Sequence, residues 1–286
     1  PPRSTPKPSS AASDVYKRQL EAPSGPMAAC QAQSRNHLET LSAPHRRQEA
    51  WRFCDLAPIA ELEPRQICSL GEPSAPGVSD QVTRLVLGTG QDPFAGVTLP
   101  KGLSPLSDAE LKHSLGHTLN LATSKGQWPV ALNQAIASQV IGLRVRGIVD
   151  SPLELVCDAG VDRGVFAVRV LLLLEEKAKL ELLQVQLSSG ANLTSVLVEA
   201  HLQSEAKLRH GLLAFGHPQA ALLAHLAVEQ EPSSDVSLVS VCQGWGVIRH
   251  EPQLIQLKGG AKSQLRALQL VQANQLADTH SCVRFN

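Results

Sequence analysis

Aromatic residues are scarce in this chain of 286 residues, at 3% of the sequence, with a single Tyr. Methionine is scarcer still, because Met27 is the only one. A folded core therefore has to be built from Leu, Val, Ile and Ala, which are among the residue types most often buried.

An excess of either charge is also missing, since 26 Lys and Arg balance 26 Asp and Glu. Zero net charge argues against nucleic-acid binding through a broad basic surface and against an acidic solvating tail. No apolar run reaches the roughly 18 residues of a membrane span, and the longest, 165–174, is interrupted by Arg169. The first 30 residues carry no apolar core like that of a signal peptide. We therefore expect a cytoplasmic protein that binds neither nucleic acid nor membrane.

Closely spaced cysteine pairs are absent. The six cysteines stand at positions 30, 54, 68, 157, 242 and 282, and no two form a Cys-x-x-Cys motif. In a chain of this size without an export signal, this spacing predicts reduced thiols rather than a disulfide framework.

Composition divides the chain into three regions. Residues 1–40 are rich in Pro, Ser, Ala and Gln without apolar periodicity, which predicts a disordered tail. Part of this tail is expected to be non-native, because residues 13–19 resemble translated adapter sequence and translation can start at Met27. Residues 41–137 are predicted to be a mostly helical N-terminal region, and residues 138–286 a β domain.

Local signals in the N-terminal region predict three helices and one strand. Residues 44–53 are a candidate amphipathic helix, and residues 82–87 a candidate strand. Ser107 and Glu110 have the spacing of a capping box, which predicts a helix start. Pro129 favours the first turn of a further helix.

The β domain is predicted from short segments bounded by turn signals at intervals of roughly 8–15 residues. The predicted strands are 140–149, 153–157, 165–174, 180–187, 193–202, 206–215, 221–228, 236–242, 247–257, 264–271 and 277–285. Residues 194–230 are also rich in good helix formers, so a helix is the alternative there. The i, i+2 file of Leu208, His210, Leu212 and Ala214 favours a strand.

Many short strands without intervening helices fit either a β-sandwich or a stacked parallel solenoid. The turns lack the Asn-Gly and Asp-Gly pairs of two-residue hairpins, which favours the solenoid. No strict hexapeptide or nonapeptide repeat is present, so the solenoid is expected to be irregular.

Two glycine-containing stretches are reminiscent of nucleotide loops. Lys262-Ser263 follows Gly259-Gly260, but Ala261 occupies the place where a Walker A loop requires glycine. Gly88-Thr89-Gly90 lacks the third glycine of a dinucleotide fingerprint. We interpret the first stretch as a turn between strands and the second as a loop.

Three polar patterns remain as site candidates. His113 and His117 are spaced i, i+4 and could share a metal on one helix, but no third ligand is nearby in sequence, which favours a solvated helix face. Asn192 begins a glycosylation sequon, which is irrelevant in a protein that is not secreted. Asp278, His280 and Cys282 would share one strand face as a nucleophile or soft-metal site; the alternatives are a carboxylate that orients a structural histidine and, for Cys282, a small core residue.

Several short segments, in this order and spacing, also carry a family resemblance: Glu49-Ala50-Trp51-Arg52, Trp128 with Leu132-Asn133, Arg169-Val170-Leu171-Leu172, Ala191-Asn192-Leu193-Thr194, Gly244-Trp245 with Arg249, Leu257-Lys258-Gly259-Gly260-Ala261, and Gln275 with Asp278-Thr279-His280. Together they resemble the SufB/SufD family of iron–sulfur cluster assembly proteins, and their sequence is most similar to that of the cyanobacterial SufD branch. The resemblance covers about residues 41–286.

The resemblance implies a small helical N-terminal region, a right-handed parallel β-helix and a C-terminal helical domain. It also implies a non-catalytic scaffold that pairs with a SufB-like subunit through the β-helices and works with a SufC-like ATPase. An iron–sulfur cluster would form transiently on the assembled complex, with no cofactor held tightly by this chain. The compartment would be the cytoplasm, or the plastid stroma in a photosynthetic eukaryote.

In the family, the β-helix continues past the Asp-x-His segment into a stretch with the cluster-site histidine and the domain that holds SufC. We therefore expect a C-terminally truncated chain that does not bind the ATPase, and we assign no catalytic or metal residue. His280 inherits no ligand role, and cofactor-binding residues stay unknown. There are two competing functions. One is a β-helix enzyme acting on carbohydrate or acyl groups, against which the dispersed acidic residues argue. The other is a structural β-solenoid module, against which the lack of an export signal argues.

Overall fold

The computed structural model describes residues 27–45, 47–52, 81–88, 90–124, 126–137, 139–160 and 164–285. The chain is mainly β, and its parallel strands wind into a solenoid of about five turns. The predicted parallel solenoid is thus confirmed, and the helical alternative for residues 194–230 is wrong.

The strands after residue 138 follow the predicted segments closely. The strands are β1 (Thr83–Leu87), β2 (Leu103–Pro105), β3 (Gln139–Val145), β4 (Leu153–Asp158), β5 (Gly164–Leu174), β6 (Lys179–Leu187), β7 (Asn192–Leu202), β8 (Lys207–Phe215), β9 (Ala221–Gln230), β10 (Asp235–Gln243), β11 (Val247–Gln256), β12 (Lys262–Leu270), β13 (Leu276–Thr279) and β14 (Cys282–Phe285). The helices are α1 (Ala28–Thr40), α2 (Asp108–Ser114), α3 (His117–Leu121) and α4 (Trp128–Ile136), with a 3₁₀ turn at Glu49–Trp51.

Successive strands alternate between two sheets. Sheet A has the order β13-β11-β9-β7-β5-β3-β2, with β14 also paired to β11, and sheet B has the order β1-β4-β6-β8-β10-β12. The pairs are parallel except for β2 with β3, which is antiparallel. In sheet B, Leu180 pairs with Leu208 and Leu208 pairs with Val236, so one coil advances by 28 residues. β1 and β2 join the sheets although they precede residue 138.

The main core fills the lumen between the two sheets. Strands of sheet B alternate buried and exposed positions, and their buried side includes Leu180, Leu208 and Val236. Strands β7 and β9 of sheet A are buried on both faces, and the lumen side carries residues such as Val196 and Leu222. Period-2 alternation therefore sends one set of side chains into the lumen and the other outward.

The outward face of sheet A is covered by the helical layer, which we define as α2, α3 and α4. Ala131 and Leu132 of α4 form a second core with outward residues such as Leu193. Leu119 of α3 forms a third, smaller core with Leu197. This layer explains why sheet A is buried on both faces whereas sheet B alternates between buried and exposed positions.

Residues 28–40 differ from the predicted disordered tail, because they form α1. Gln31 Nε2 donates to the carbonyl of Ala137 at 2.5 Å, and Arg35 Nε donates to that of Ala135 at 3.1 Å. These carbonyls lie at the C-terminal end of α4, where intrahelical partners are lacking. The helix is thus held by a contact about 100 residues away in sequence, which composition does not reveal. Residues 1–26 of the predicted tail lie outside the described residues.

Three of the remaining local predictions are confirmed, and the helix predicted at 44–53 is mostly wrong. The Ser107–Glu110 capping box is present at the start of α2, Pro129 lies in the first turn of α4, and the strand predicted at 82–87 is β1. The predicted helix at 44–53 is reduced to the 3₁₀ turn in the part that the structure describes.

Among the described residues, no helix is both long enough and apolar enough to cross a membrane. Cys30, Cys157, Cys242 and Cys282 are free thiols, as predicted, and Cys54 and Cys68 lie outside the described residues.

Candidate functional site

The densest polar chemistry lies between the helical layer and the outward face of sheet A. We call this set the interlayer network and define it by three centres, around Arg169, Glu229 and Arg249. Each centre places charged groups that are almost completely buried beside a helix or the last coil. Buried charges need partners, because an unpaired ion in a low-dielectric interior is costly.

The first centre is an ion pair across β5 and β7. Arg169 Nη2 donates to Glu199 Oε1 at 2.6 Å, with side-chain exposures of 8% and 0%. Glu199 also accepts the backbone N–H of Gly116 at 2.9 Å and that of Leu119 at 3.4 Å. One carboxylate therefore ties the start of α3 to the middle of sheet A.

The second centre joins α3 to β7 and β9. Glu229 Oε2 lies 3.2 Å from His201 Nδ1 and 3.6 Å from His117 Nε2. The Thr118 hydroxyl donates to the same oxygen at 3.3 Å. On its other side, His201 Nε2 lies 3.2 Å from Glu231 Oε1. The imidazole of His201 is therefore held between two carboxylates.

Charge and burial act in opposite directions on this centre. The hydrogen bond with Glu229 raises the pKa of His201 above its ordinary value, although burial opposes the rise. Burial by itself would raise the pKa of Glu229, but the hydrogen bond and charge of His201 lower it below the ordinary value. Both shifts favour the charged forms, an imidazolium beside a carboxylate, over the neutral ones.

The third centre is built around Arg249 of β11. Its Nε donates to Glu251 Oε1 at 2.7 Å. Its Nη1 donates both to the carboxylate of Asp278 and to the carbonyl of Ala50, the latter at 2.9 Å. The guanidinium also stacks over Trp51, 4.5 Å from the ring centroid. Such stacking suits the planar guanidinium. This arginine therefore joins the N-terminal segment to the last coil.

A histidine extends the third centre toward the helical layer. His225 Nδ1 lies 3.5 Å from Glu251 Oε2, and its Nε2 lies 2.9 Å from the hydroxyl of Ser124. Burial would raise the pKa of Glu251, but the bond from His225 and the charge of Arg249 lower it to about 2. The carboxylate stays ionised at physiological pH and acts as the counter-ion of Arg249.

The lumen holds a separate set of buried polar residues. Burial lowers the pKa of His210 to about 3 and that of His250 to about 4, so both are neutral in the folded chain. Burial raises the pKa of Cys157 to about 12 and that of Cys242 to about 11. A thiol must ionise to act as a nucleophile, so these two cysteines are structural at neutral pH.

The predicted Asp278–His280–Cys282 cluster forms only in part. Asp278 and His280 do meet at one place, because both contact Arg249, and His280 Nδ1 lies 2.7 Å from Arg249 Nη2. The carboxylate therefore pairs with an arginine that the sequence analysis had not linked to it. Cys282 begins β14 opposite Gln253 of β11, and the structure shows no bond from it to the other two.

The glycine-containing stretches are a turn and a loop, as predicted. Gly259 and Gly260 form the turn between β11 and β12, and the Ser263 hydroxyl donates to Gln230 Oε1 at 2.5 Å. Gly88 follows β1, where a Cβ would meet the ring of Phe166 at 1.8 Å. Thr89 lies outside the described residues.

Asn192 has a structural role. Its side chain is completely buried, and it accepts a hydrogen bond from the Ser188 hydroxyl at 2.8 Å. A side chain enclosed in this way cannot carry a glycan in the folded chain.

The His113–His117 pair does not lie on a single helix. α2 ends at Ser114, and Gly116, with φ of +87°, caps the start of α3 at His117. His117 instead contacts residues of β7 and β9, which the sequence analysis had not singled out. In the parallel register, residues of neighbouring strands that are 28 positions apart lie side by side, which places His201 beside Glu229. Aligning the predicted strands with this offset could have found the pair from the sequence.

Comparison with known proteins bears mainly on the solenoid from the end of β4 onward. Residues 157–286, from β4 to the end of the chain, match the family model of the SUF system FeS cluster assembly SufBD core domain. The chain is 24% identical over 278 residues to an iron–sulfur cluster assembly SufBD family protein of Synechocystis sp.. That alignment covers 87% of this chain and 61% of the relative, so the chain spans less than two thirds of the relative's length. Both findings support the SufB/SufD family, and neither singles out the SufD branch.

Proposed function

We propose that this chain is a scaffold subunit in iron–sulfur cluster assembly, of the SufD type, and that it pairs with a SufB-like subunit. The observation that carries the proposal is the match of residues 157–286 to the SufBD core domain, since those residues are the coils β4 to β14 of the parallel solenoid.

The chemistry of the described residues agrees with a scaffold. The charged groups of the interlayer network are engaged with one another and with the helical layer, as in the Arg169–Glu199 pair. The buried cysteines Cys157 and Cys242 keep their protons at neutral pH, because burial raises the pKa of both thiols. No specific observation favours the alternative of a solenoid enzyme acting on carbohydrate or acyl groups. We therefore assign the chain a non-catalytic role.

The cluster, in this proposal, is cargo that forms transiently on the assembled complex and is not a resident cofactor of this chain. The solenoid supplies a rigid partner surface, because each coil is fixed by its neighbours along the stack. In this proposal, a SufC-like ATPase docks on a segment that corresponds to the part of the relative outside the alignment, which covers 61% of that protein.

Co-expression with the SufB-like and SufC-like proteins of the same source organism tests the proposal. The tagged 286-residue chain, and a version extended to the length of the relative, would be purified and analysed by size-exclusion chromatography. We expect the extended chain to elute with both proteins and the 286-residue chain to fail to retain the ATPase.

Loss of the complex with the SufB-like protein from the extended chain would contradict the proposal. Retention of the ATPase by the 286-residue chain would show that the docking surface lies within the described coils or helices instead.

A further inference from the structure

We propose that His117, His201 and Glu229 form a binding site for a divalent first-row transition-metal cation where α3 meets β7 and β9. The proposal does not depend on the scaffold role, because it rests on the geometry of the second centre alone.

The spacing of the three ligand atoms is that of a metal site. His117 Nε2, His201 Nδ1 and a carboxylate oxygen of Glu229 all lie within 4.8 Å of one another. Ligands at about 2.0–2.1 Å from a tetrahedral zinc are separated from each other by roughly 3.3 Å. The distances of 3.2 Å and 3.6 Å from Glu229 Oε2 to the two histidines lie on either side of that value. The distance between the two histidine nitrogens is within 4.8 Å, so the exposed His117 ring is the ligand that would move to complete the site.

A second layer of contacts orients two of the three ligands. Glu231 Oε1 lies 3.2 Å from His201 Nε2, so it can hold the proton on that nitrogen and leave Nδ1 free to bind a metal. The Thr118 hydroxyl donates to Glu229. A carboxylate behind a histidine ligand is the usual arrangement in protein metal sites, where it fixes the ring and its tautomer.

The site is accessible from solvent on one side. The side chain of His117 is 64% exposed, whereas that of Glu229 is 3% exposed. A cavity of about 210 Å³ opens beside them, lined in part by His113, Leu171 and Leu173. A cation can therefore enter past His117, and water can occupy a remaining coordination position.

The donor set indicates the class of cation. Two imidazoles with one carboxylate suit Zn²⁺, Fe²⁺ and Co²⁺, whereas Ca²⁺ and Mg²⁺ prefer all-oxygen sites. The competing occupant is a proton, which would make His201 an imidazolium between Glu229 and Glu231. The two occupants are exclusive at Nδ1, so metal binding must release that proton.

Titration of the metal-stripped 286-residue chain with Zn²⁺ by isothermal calorimetry tests the site, and Co²⁺ absorption reports its geometry. We expect one site in the wild type, with visible bands of four- or five-coordinate Co²⁺. His117→Ala should lower the affinity for Zn²⁺ by at least about a hundredfold, and this exposed change should leave the fold intact by circular dichroism. His113→Ala is the matched control, because His113 lines the same cavity outside the ligand set, and it should bind Zn²⁺ as the wild type does.

The positioning role of Glu231 has its own variant. Glu231→Gln should weaken Zn²⁺ binding by roughly ten- to a hundredfold while the one-site stoichiometry is kept.

Two results would overturn the inference. One is the absence of Zn²⁺ binding to the wild type at micromolar concentrations, which would leave the proton as the occupant. The other is equal affinity in the wild type and in His117→Ala, which would place any bound metal elsewhere, for example at the exposed Cys30.

Discussion

Two histidines in the lumen, His210 and His250, make the stability of this fold sensitive to pH. His210 has Leu238 as a register partner and lies 3.1 Å from Gln184 Oε1, whereas His250 lies between Ala224 and Thr279 in the register. Burial disfavours their charged form and lowers both pKa values well below the ordinary range. They are therefore neutral while the chain is folded and become protonated when it unfolds in mild acid.

Replacing His250 with Leu should flatten the pH dependence of stability. The pKa of a histidine is about 6.5 in an unfolded chain, whereas burial lowers that of folded His250 to about 4. Between these values the unfolded state binds one more proton, so the free energy of unfolding falls as pH falls, by about 1.4 kcal/mol per pH unit for one proton. Urea unfolding of the wild type and His250→Leu at pH 7, 6 and 5 would measure the difference.

The same substitution at the exposed His113 should leave the slope unchanged, because that ring meets water in both states. A His250→Leu variant that loses stability toward pH 5 as steeply as the wild type would contradict the lumen assignment.

The three residues of the predicted C-terminal cluster show how far adjacency in sequence can mislead. Asp278 and His280 lie on one face, as period 2 requires, but the group that brings them together is Arg249, about 30 residues earlier. The neighbouring strand of a parallel solenoid supplies the nearest partner, so the partner is one coil away in sequence.

At the scale of elements, the turn that precedes each of the strands β6, β8, β10 and β12 repeats one conformation. Lys177, Glu205 and Ser233 occupy equivalent places in successive coils, and each has a φ near +60°. The next coil has Gly260 at this place, with φ of +85°. Left-handed backbone costs roughly 1–2 kcal/mol for a residue with a Cβ, so the glycine is the least strained member of the series.

Ser233→Gly should therefore stabilise the chain. We expect a gain of about 0.5 kcal/mol, because relief of the left-handed strain exceeds the added entropy of the unfolded glycine. Ser237→Gly in β10 is the matched control and should lose roughly 0.5–1 kcal/mol, since glycine weakens a strand. Urea denaturation of both variants measures these changes, and a destabilised Ser233→Gly would show that the turn is not strained.

The helices illustrate a different element-scale effect. α2 begins at a capping box that can be recognised locally, whereas α1 depends on Gln31 and Arg35, which reach the last carbonyls of α4. Most helical stability in proteins comes from packing rather than from propensity. Composition therefore predicted disorder for a segment that tertiary contacts hold as a helix.

At the scale of the whole molecule, buried ion pairs join the helical layer to the solenoid. Glu199 accepts from Arg169 on the sheet side and from Gly116 and Leu119 on the helix side. Loss of the arginine would leave a carboxylate uncompensated at a site with no exposure to water. The two layers should therefore unfold as one unit rather than separately.

Arg169→Met should cost roughly 3 kcal/mol of the free energy of unfolding, because breaking a buried pair leaves the other charge unpaired. Glu199→Gln in the same background should recover part of this loss, since a neutral amide oxygen can still accept from Gly116. Arg209→Met is the control, because its pair with Glu181 is exposed and exposed pairs contribute at most about 1 kcal/mol. Urea unfolding followed by far-ultraviolet circular dichroism gives all three values, and equal losses for Arg169→Met and Arg209→Met would contradict the linking role.

The sequence by itself determined the positions of β1 and of the strands after residue 138, the turn at Gly259-Gly260, the start of α2 and the solenoid class, because these depend on local period, backbone preference and caps. Only the tertiary structure decided which side chains meet across coils. The His117–His201–Glu229 set and the contacts of Arg249 join residues from about 30 to almost 200 positions apart, as with Arg249 and Ala50. Strand register and the docking of helices on sheet A create these contacts, and both follow from the packing of the whole chain.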